Sequence, residues 1–203
     1  GRYPRILKDV VVGEEASKLF KDAQEMLNHA IEENWLEVDV VYGIWEAHTI
    51  EDDIFIFDES GELLAVSHCL RQQTKKSSKA FNMSLSDFIA PKSTGIKDYI
   101  GAFVVTAGKK IDQIAKKFEN DLDDYNSIMI KALADRMAEA AAEYLHQKVR
   151  KDFWGYSNEE FSNEELIKEK YEGIRPAPGY PACPDHTEKE TIFNLLDATN
   201  KVG

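Results

Sequence analysis

The sequence has little cysteine and little proline, fewer basic than acidic residues, and no long apolar run. Cysteine occurs twice, at Cys69 and Cys183, far apart in the chain. Two such thiols make no disulfide framework, and with no export signal they point to a reducing cytoplasm. No window of about 18 apolar residues exists, which excludes a transmembrane helix. The start, Gly1-Arg2-Tyr3-Pro4, has neither the apolar region of a signal peptide nor an initiator methionine. The chain is therefore expected to be a piece of a longer polypeptide or a trimmed form. Lys and Arg number 25 against 37 Asp and Glu, a formal net charge of -12. Phosphate binding draws on a basic surface, so nucleic acid is not an expected partner. The acid suits a basic protein or a cationic ligand, or else only keeps the chain in solution. Phosphate-cradling glycine loops and CxxC pairs are also missing.

What is present reads as a soluble globular protein, long enough for one large domain or two small ones. Apolar residues make up 43% and charged residues 31% of 203 residues, an ordinary balance for a packed core with a charged surface. Ala16, Leu19, Phe20, Ala23, Met26, Leu27 and Ala30 recur at helical spacing and predict a helix over Glu14 to Glu33. Strands are expected at Val38 to Trp45, Ile54 to Phe57 and Leu63 to His68, the last two joined as a hairpin through Glu59-Ser60-Gly61-Glu62. Arg71 to Lys79 reads as a polar, basic loop. Ser84 to Ile89 and Tyr99 to Thr106 read as further strands, with Gly101 to Val105 buried on both faces.

Helices follow: Lys110 to Asp121, then a long one from Asp124 to Asp152. Its apolar stripe is Ile128 or Met129, Leu133, Met137, Ala140 or Ala141, Tyr144, Leu145 and Val149, with Asp135, Glu139, Glu143 and His146 opposite. Ser162-Asn163-Glu164-Glu165 is a capping box that starts a short helix. Thr187 is placed to cap a last helix, Glu188 to Leu196. Strands and helices segregate along the chain, which predicts an α+β fold.

Proline is concentrated where it matters. The stretch from Ile174 to Lys189 has sixteen residues and four of the chain's six prolines, Pro176, Pro178, Pro181 and Pro184. Each fixes its own φ, removes a donor and pushes the preceding residue toward extended geometry. The expectation is a stiff, extended loop rich in carbonyls that no local amide satisfies. Arg175, braced between Ile174 and Pro176, is suited to a bidentate carboxylate contact at low entropic cost. Tyr180 follows Gly179, which permits close backbone approach; its ring either stacks on a flat ligand or packs in the core. Glu139 and Glu169 are either solvated or face a cationic or hydrogen-bonding partner. Glu143 with His146, and Cys183 with His186, are each half of a metal site, and neither is read as a metal centre.

Ile174-Arg175-Pro176-Ala177-Pro178-Gly179-Tyr180-Pro181 followed by Asp185-His186-Thr187-Glu188-Lys189 resembles the activation domain of cobalamin-dependent methionine synthase. Blocks in the same order extend the resemblance over nearly the whole chain. They are Tyr3-Pro4-Arg5-Ile6-Leu7, Leu70-Arg71-Gln72-Gln73, Asp87-Phe88-Ile89-Ala90-Pro91, Asp98-Tyr99-Ile100-Gly101-Ala102-Phe103, Asp123-Asp124-Tyr125-Asn126, Lys131-Ala132-Leu133-Ala134-Asp135-Arg136 and Trp154-Gly155-Tyr156.

The resemblance implies a curved, largely antiparallel sheet surrounded by helices, formed by residues 1–203 as a single domain truncated at both ends. It implies a module that binds S-adenosylmethionine and restores the methylated cobalamin of a cytoplasmic methyltransferase making methionine from homocysteine. Cobalamin is held by another domain of the full-length enzyme, and zinc belongs to the full-length enzyme alone. Implied partners are the cobalamin-binding domain and, as electron donor, flavodoxin or a flavin reductase; nucleic acid and membrane are not. Arg175, Pro176, Ala177, Pro178, Gly179 and Tyr180 match the S-adenosylmethionine segment, with Tyr180 beside the reactive face. Glu139 and Glu169 match two glutamates linked to docking on the cobalamin domain. No general acid or base is implied, since the reduced corrinoid is itself the nucleophile.

The family also carries an aspartate before Gly1 and an aromatic after Gly203 that contact the ligand. The fragment alone is thus expected to bind S-adenosylmethionine weakly or not at all, and to be inactive. A competing reading is a non-enzymatic docking module, or a stand-alone reactivator of another corrinoid protein.

Overall fold

The computed structural model describes residues 3–76 and 81–203. The elements, in order, are α1 (Gly13–Glu32), β1 (Val38–Ile50), β2 (Asp53–Phe57), β3 (Leu63–His68), β4 (Asp98–Ala107), α2 (Ile111–Asn120), α3 (Asp124–Lys148), α4 (Asn163–Ile167), α5 (Glu188–Leu196) and α6 (Ala198–Val202). The α+β class expected from the sequence is the one observed, with an antiparallel sheet. Residues 77–79 of the expected basic loop lie outside the described residues. Among the described residues no helix is long and apolar enough to cross a membrane. The chain folds into two compact units, residues 1–39 with 105–145 and residues 40–104 with 146–203.

The first unit is helical. α1 is entered through Asp9, whose Oδ1 accepts from the amides of Val11 at 2.9 Å and Val12 at 3.2 Å. Its inward face reaches a core of Ala30, Ile111, Ile114, Ala115, Ile130 and Ala134, with Met26, Trp35, Leu36 and Phe118 packed against it. Leu19 and Phe20, expected on the same stripe, are 51% and 37% exposed. In α3 the expected stripe holds at Met129 and Leu145, both buried, and fails at Tyr144. Met129, Ile130 and Ala134 are buried, whereas Ile128 and Tyr144 are exposed. Glu119 secures the turn from α2 to α3, accepting from Ser127 Oγ and Lys131 Nζ, each at 2.9 Å.

The second unit is built on the sheet, ordered β3-β2-β1-β4. In the antiparallel register Ala47 faces Ile56 and Thr49 faces Ile54, so these four share one face. All four are buried, and Cys69 and Ile89 complete that core. This inward alternation carries β1 on to Ile50, past the expected end at Trp45. The β2–β3 hairpin forms as expected, its turn held by Asp58 Oδ1, which accepts from Ser60 N at 2.8 Å and Glu62 N at 2.9 Å. A second cluster gathers Val41 with Leu196, Ala198 and Val202. The chain enters α6, which periodicity did not reveal, through a left-handed corner at Asp197 (φ 52°).

Three local expectations are corrected. Ser84 to Ile89 is not a strand: Leu85–Phe88 is a 3-10 turn with a capping box. Asp87 Oδ2 accepts from Ser84 N at 2.9 Å, which closes the backbone locally and leaves no ladder to form. Ala102 to Val105 are half-buried and Gly101 is exposed, because β4 is the last strand in the sheet order. The long helix changes hydrogen-bonding pattern at Val149–Phe153, a π turn in which Trp154 N donates to Val149 O at 2.9 Å.

Candidate functional site

The loop from Ile174 to Thr187 is not extended throughout: it turns between Ala177 and Cys183, where three carbonyls are satisfied locally. Tyr180 N donates to Ala177 O at 3.0 Å, Gly179 N to Cys183 O at 2.7 Å, and Cys183 N to Tyr180 O at 2.9 Å. Tyr180 and Cys183 form an isolated antiparallel bridge. The prolines remove donors, but the amides between them suffice to fold the loop into consecutive turns. Gly179 has φ 107°, and a Cβ there would stand 2.3 Å from Cε1 of His186. The close approach that Gly179 permits is made by the His186 ring.

Of the six loop residues singled out from the sequence, Arg175, Pro176 and Pro178 are half-buried and Ala177 and Gly179 exposed. The Tyr180 ring is 63% exposed, so it is a presented ring and not a core residue. Glu169 lies just after α4 with φ 51°, its amide donating to Leu166 O at 2.9 Å and its side chain in solvent. α4 itself starts on the expected box, with Ser162 N donating to Glu165 Oε2 at 3.1 Å. Glu139, in the first unit, is exposed and takes Arg136 Nη1 at 2.9 Å.

Both ends of the loop are fastened within the second unit. After it, Glu188 at the start of α5 is buried and accepts from Ser67 Oγ of β3 at 2.6 Å. Asp185 accepts from both N and Oγ1 of Thr187, at 2.8 and 2.7 Å, so Asp185 and not the Thr187 side chain organises the helix start. Cys69 and Cys183 are free, buried thiols. Burial pushes the Cys69 thiol up to about 11 and raises Cys183 as well.

Before the loop stands a polar cluster that the sequence reading missed. His146, placed by the helical pattern on the polar side, is 5% exposed, Arg150 is 1% and Tyr171 8%. Arg150 Nη1 lies 2.6 Å from His146 Nδ1. The guanidinium sits over the Tyr171 ring at 4.2 Å, and the imidazole meets that ring edge-on at 4.9 Å. Burial, and then the charges of Arg150 and Arg175, hold His146 down at about 3. It is neutral at neutral pH, with Nδ1 free to accept from Arg150. The i, i+4 spacing of His146 and Arg150 is the one signal that could have paired them. The same unit holds two further aromatic pairs: Tyr42 stacks on Phe153 at 4.7 Å, and Trp154 meets Tyr156 edge-on at 5.6 Å.

The family described as vitamin B12 dependent methionine synthase, activation domain, matches residues 1–203. Among solved structures, that of the MetH reactivation domain bound to AdoHcy is similar with a TM-score of 0.91 and 56% sequence identity. The match covers 99% of this chain and 63% of that one, so the chain spans less than two thirds of that relative's length.

Proposed function

We infer the function from one premise: this chain belongs to the activation-domain family of vitamin B12 dependent methionine synthase. We propose that it binds S-adenosylmethionine through the loop from Arg175 to Tyr180 and positions the ligand's methyl group for transfer to the corrinoid. The observation that carries this reading is the similarity to a reactivation domain holding AdoHcy, at 56% identity over 99% of this chain. Both units belong to one domain on this reading, since the family match runs through both without a break.

The residues fit such a ligand. It has a carboxylate, a sulfonium cation and a flat base. Half-buried Arg175 offers a forked donor to the carboxylate. Exposed Tyr180 offers a ring face to the base or the sulfonium. Pro176, Ala177, Pro178 and Gly179 line the site through their backbone, with few side-chain atoms in the way. The acid-rich chain suits a cation. S-adenosylmethionine supplies an activated methyl group, so this chain's own task is placement and exclusion of water.

The enzyme served is a methyltransferase that makes methionine from homocysteine in the cytoplasm. Its cobalamin is held by another domain, and its zinc lies outside this chain. Exposed Glu139 and Glu169 are docking carboxylates for the cobalamin domain. Flavodoxin or a flavin reductase provides the electron.

The deciding experiment is Arg175→Ala in the intact enzyme. Primary turnover starts at its normal rate, while reductive reactivation with S-adenosylmethionine is lost. Unchanged reactivation would overturn the assignment.

A further inference from the structure

We propose that His146, Arg150 and Tyr171 are positioning residues for Arg175: they hold the backbone that enters the ligand loop and do not touch the ligand themselves. The inference rests on the reading that Arg175 binds the ligand's carboxylate.

A fully buried arginine is a poor way to fill space, because its desolvation cost is high and an apolar side chain would avoid it. Arg150 is nonetheless among the largest fully buried side chains of the described residues. It provides what an apolar residue lacks, which is direction. One end of its fork is fixed at 2.6 Å from His146 Nδ1, and its flat face lies 4.2 Å from the centre of the Tyr171 ring. His146 touches the same ring edge-on, with an interplanar angle of 82°. The Tyr171 ring is therefore set in position and in tilt by two contacts of different geometry.

That orientation passes directly into the loop. Three residues lie between Tyr171 and Arg175, a path of at most roughly 14 Å. The path is steered on the way. Tyr156 Oη donates to Glu172 O at 3.4 Å, and a Cβ on Gly173 would lie 2.8 Å from the same Oη. With φ 92° at Gly173, the backbone turns beneath Tyr156 with no room for a side chain. Arg175 thus leaves a segment held at Tyr171, Glu172 and Gly173. The π turn at Val149–Phe153 supports the arrangement, since it places Arg150 within an irregular stretch whose carbonyl accepts from Ser157 N at 3.1 Å.

The test uses the intact enzyme, with S-adenosylhomocysteine as the calorimetric probe and hydrogen exchange as a second readout. His146→Gln keeps a neutral acceptor for Arg150; His146→Leu removes it. Tyr171→Phe keeps the ring under the guanidinium; Tyr171→Leu removes it. The two leucine variants are expected to lose roughly tenfold in affinity. In both, the amides of Gly179, Tyr180 and Cys183 exchange faster, while affinity in the Gln and Phe variants stays within about threefold of the parent. A leucine variant that fails to fold leaves the comparison of the parent with Gln and Phe, and a tenfold loss in either of those overturns the proposal. Parent-like binding and exchange in folded leucine variants also overturns it. If the parent binds the probe and Arg175→Ala binds equally well, the functional reading fails first, and this inference with it.

Discussion

Arg71 and Asp87 meet through two parallel contacts, Nη1 to Oδ2 and Nη2 to Oδ1, each 2.9 Å long. The same guanidinium reaches Asp52 through Nε at 3.1 Å and Nη2 at 2.6 Å. One arginine after β3 thus ties the β1–β2 turn to the 3-10 turn at Leu85–Phe88. Arg71 first, and then the Ser84 amide, hold the Asp87 carboxyl below its usual range. Its contribution is complete above the ordinary carboxylate range and is lost as pH falls through the lowered folded value. Asp87→Asn is expected to cost ~1–2 kcal/mol, a cap plus a partly exposed ion pair. Urea unfolding at neutral pH measures it. A variant as stable as the parent would show that neither contact contributes.

His146 gives a pH signature of the opposite chemical type. Its folded value lies near 3, below the ordinary 6.5, because of burial and then the charges of Arg150 and Arg175. Between those values the unfolded chain binds the extra proton, so stability falls as pH is lowered from about 6.5, by up to ~1.4 kcal/mol per pH unit from this group. Above pH 7 the contribution is complete and flat. Unfolding free energies at several pH values for the parent and His146→Gln should diverge in slope only on the acid side. Parallel curves would mean that the imidazole is not held neutral.

Gly179 is expected to tolerate no side chain. Gly179→Ala combines an unfavourable φ of 107° with a Cβ placed 2.3 Å from the His186 ring. The loss should be ~1–3 kcal/mol, with weaker binding of S-adenosylhomocysteine. Adding His186→Ala should recover the steric part and leave the backbone part. A double variant no better than the single one would show that the ring is not the obstacle.

The two thiols should be silent in the folded protein. Cys69, pushed up to about 11, and Cys183, raised by burial, supply almost no thiolate at pH 8. Iodoacetamide should label neither thiol in the native protein and both in denaturant. Rapid native labelling would contradict the burial of Cys69 at 6% and Cys183 at 6% exposure.

Much of the fold was legible because periodicity and turn chemistry agreed. The β2–β3 hairpin, α1 and the Ser162 box are where the pattern put them. The family was legible too, on ordered motifs and not on composition. The errors came where a local contact outweighed a pattern. Ser84 to Ile89 reads as a strand, yet Asp87 reaches back to the Ser84 amide. His146 follows a polar stripe, yet it is buried because Arg150 one turn later gives it a partner. The proline loop was located correctly, but its amides at Gly179, Tyr180 and Cys183 fold it into turns. Its ligand role was suggested by residue types, and the structure adds that Tyr180 is exposed.

The contacts among Ala177, Gly179, Tyr180 and Cys183 make that stretch a self-closed cassette. Each of its three bonds runs between residues of the stretch, so the turns and the Tyr180 ring form one structural piece. A spectroscopic label at exposed Pro181 would travel with the Tyr180 ring and report its displacement directly.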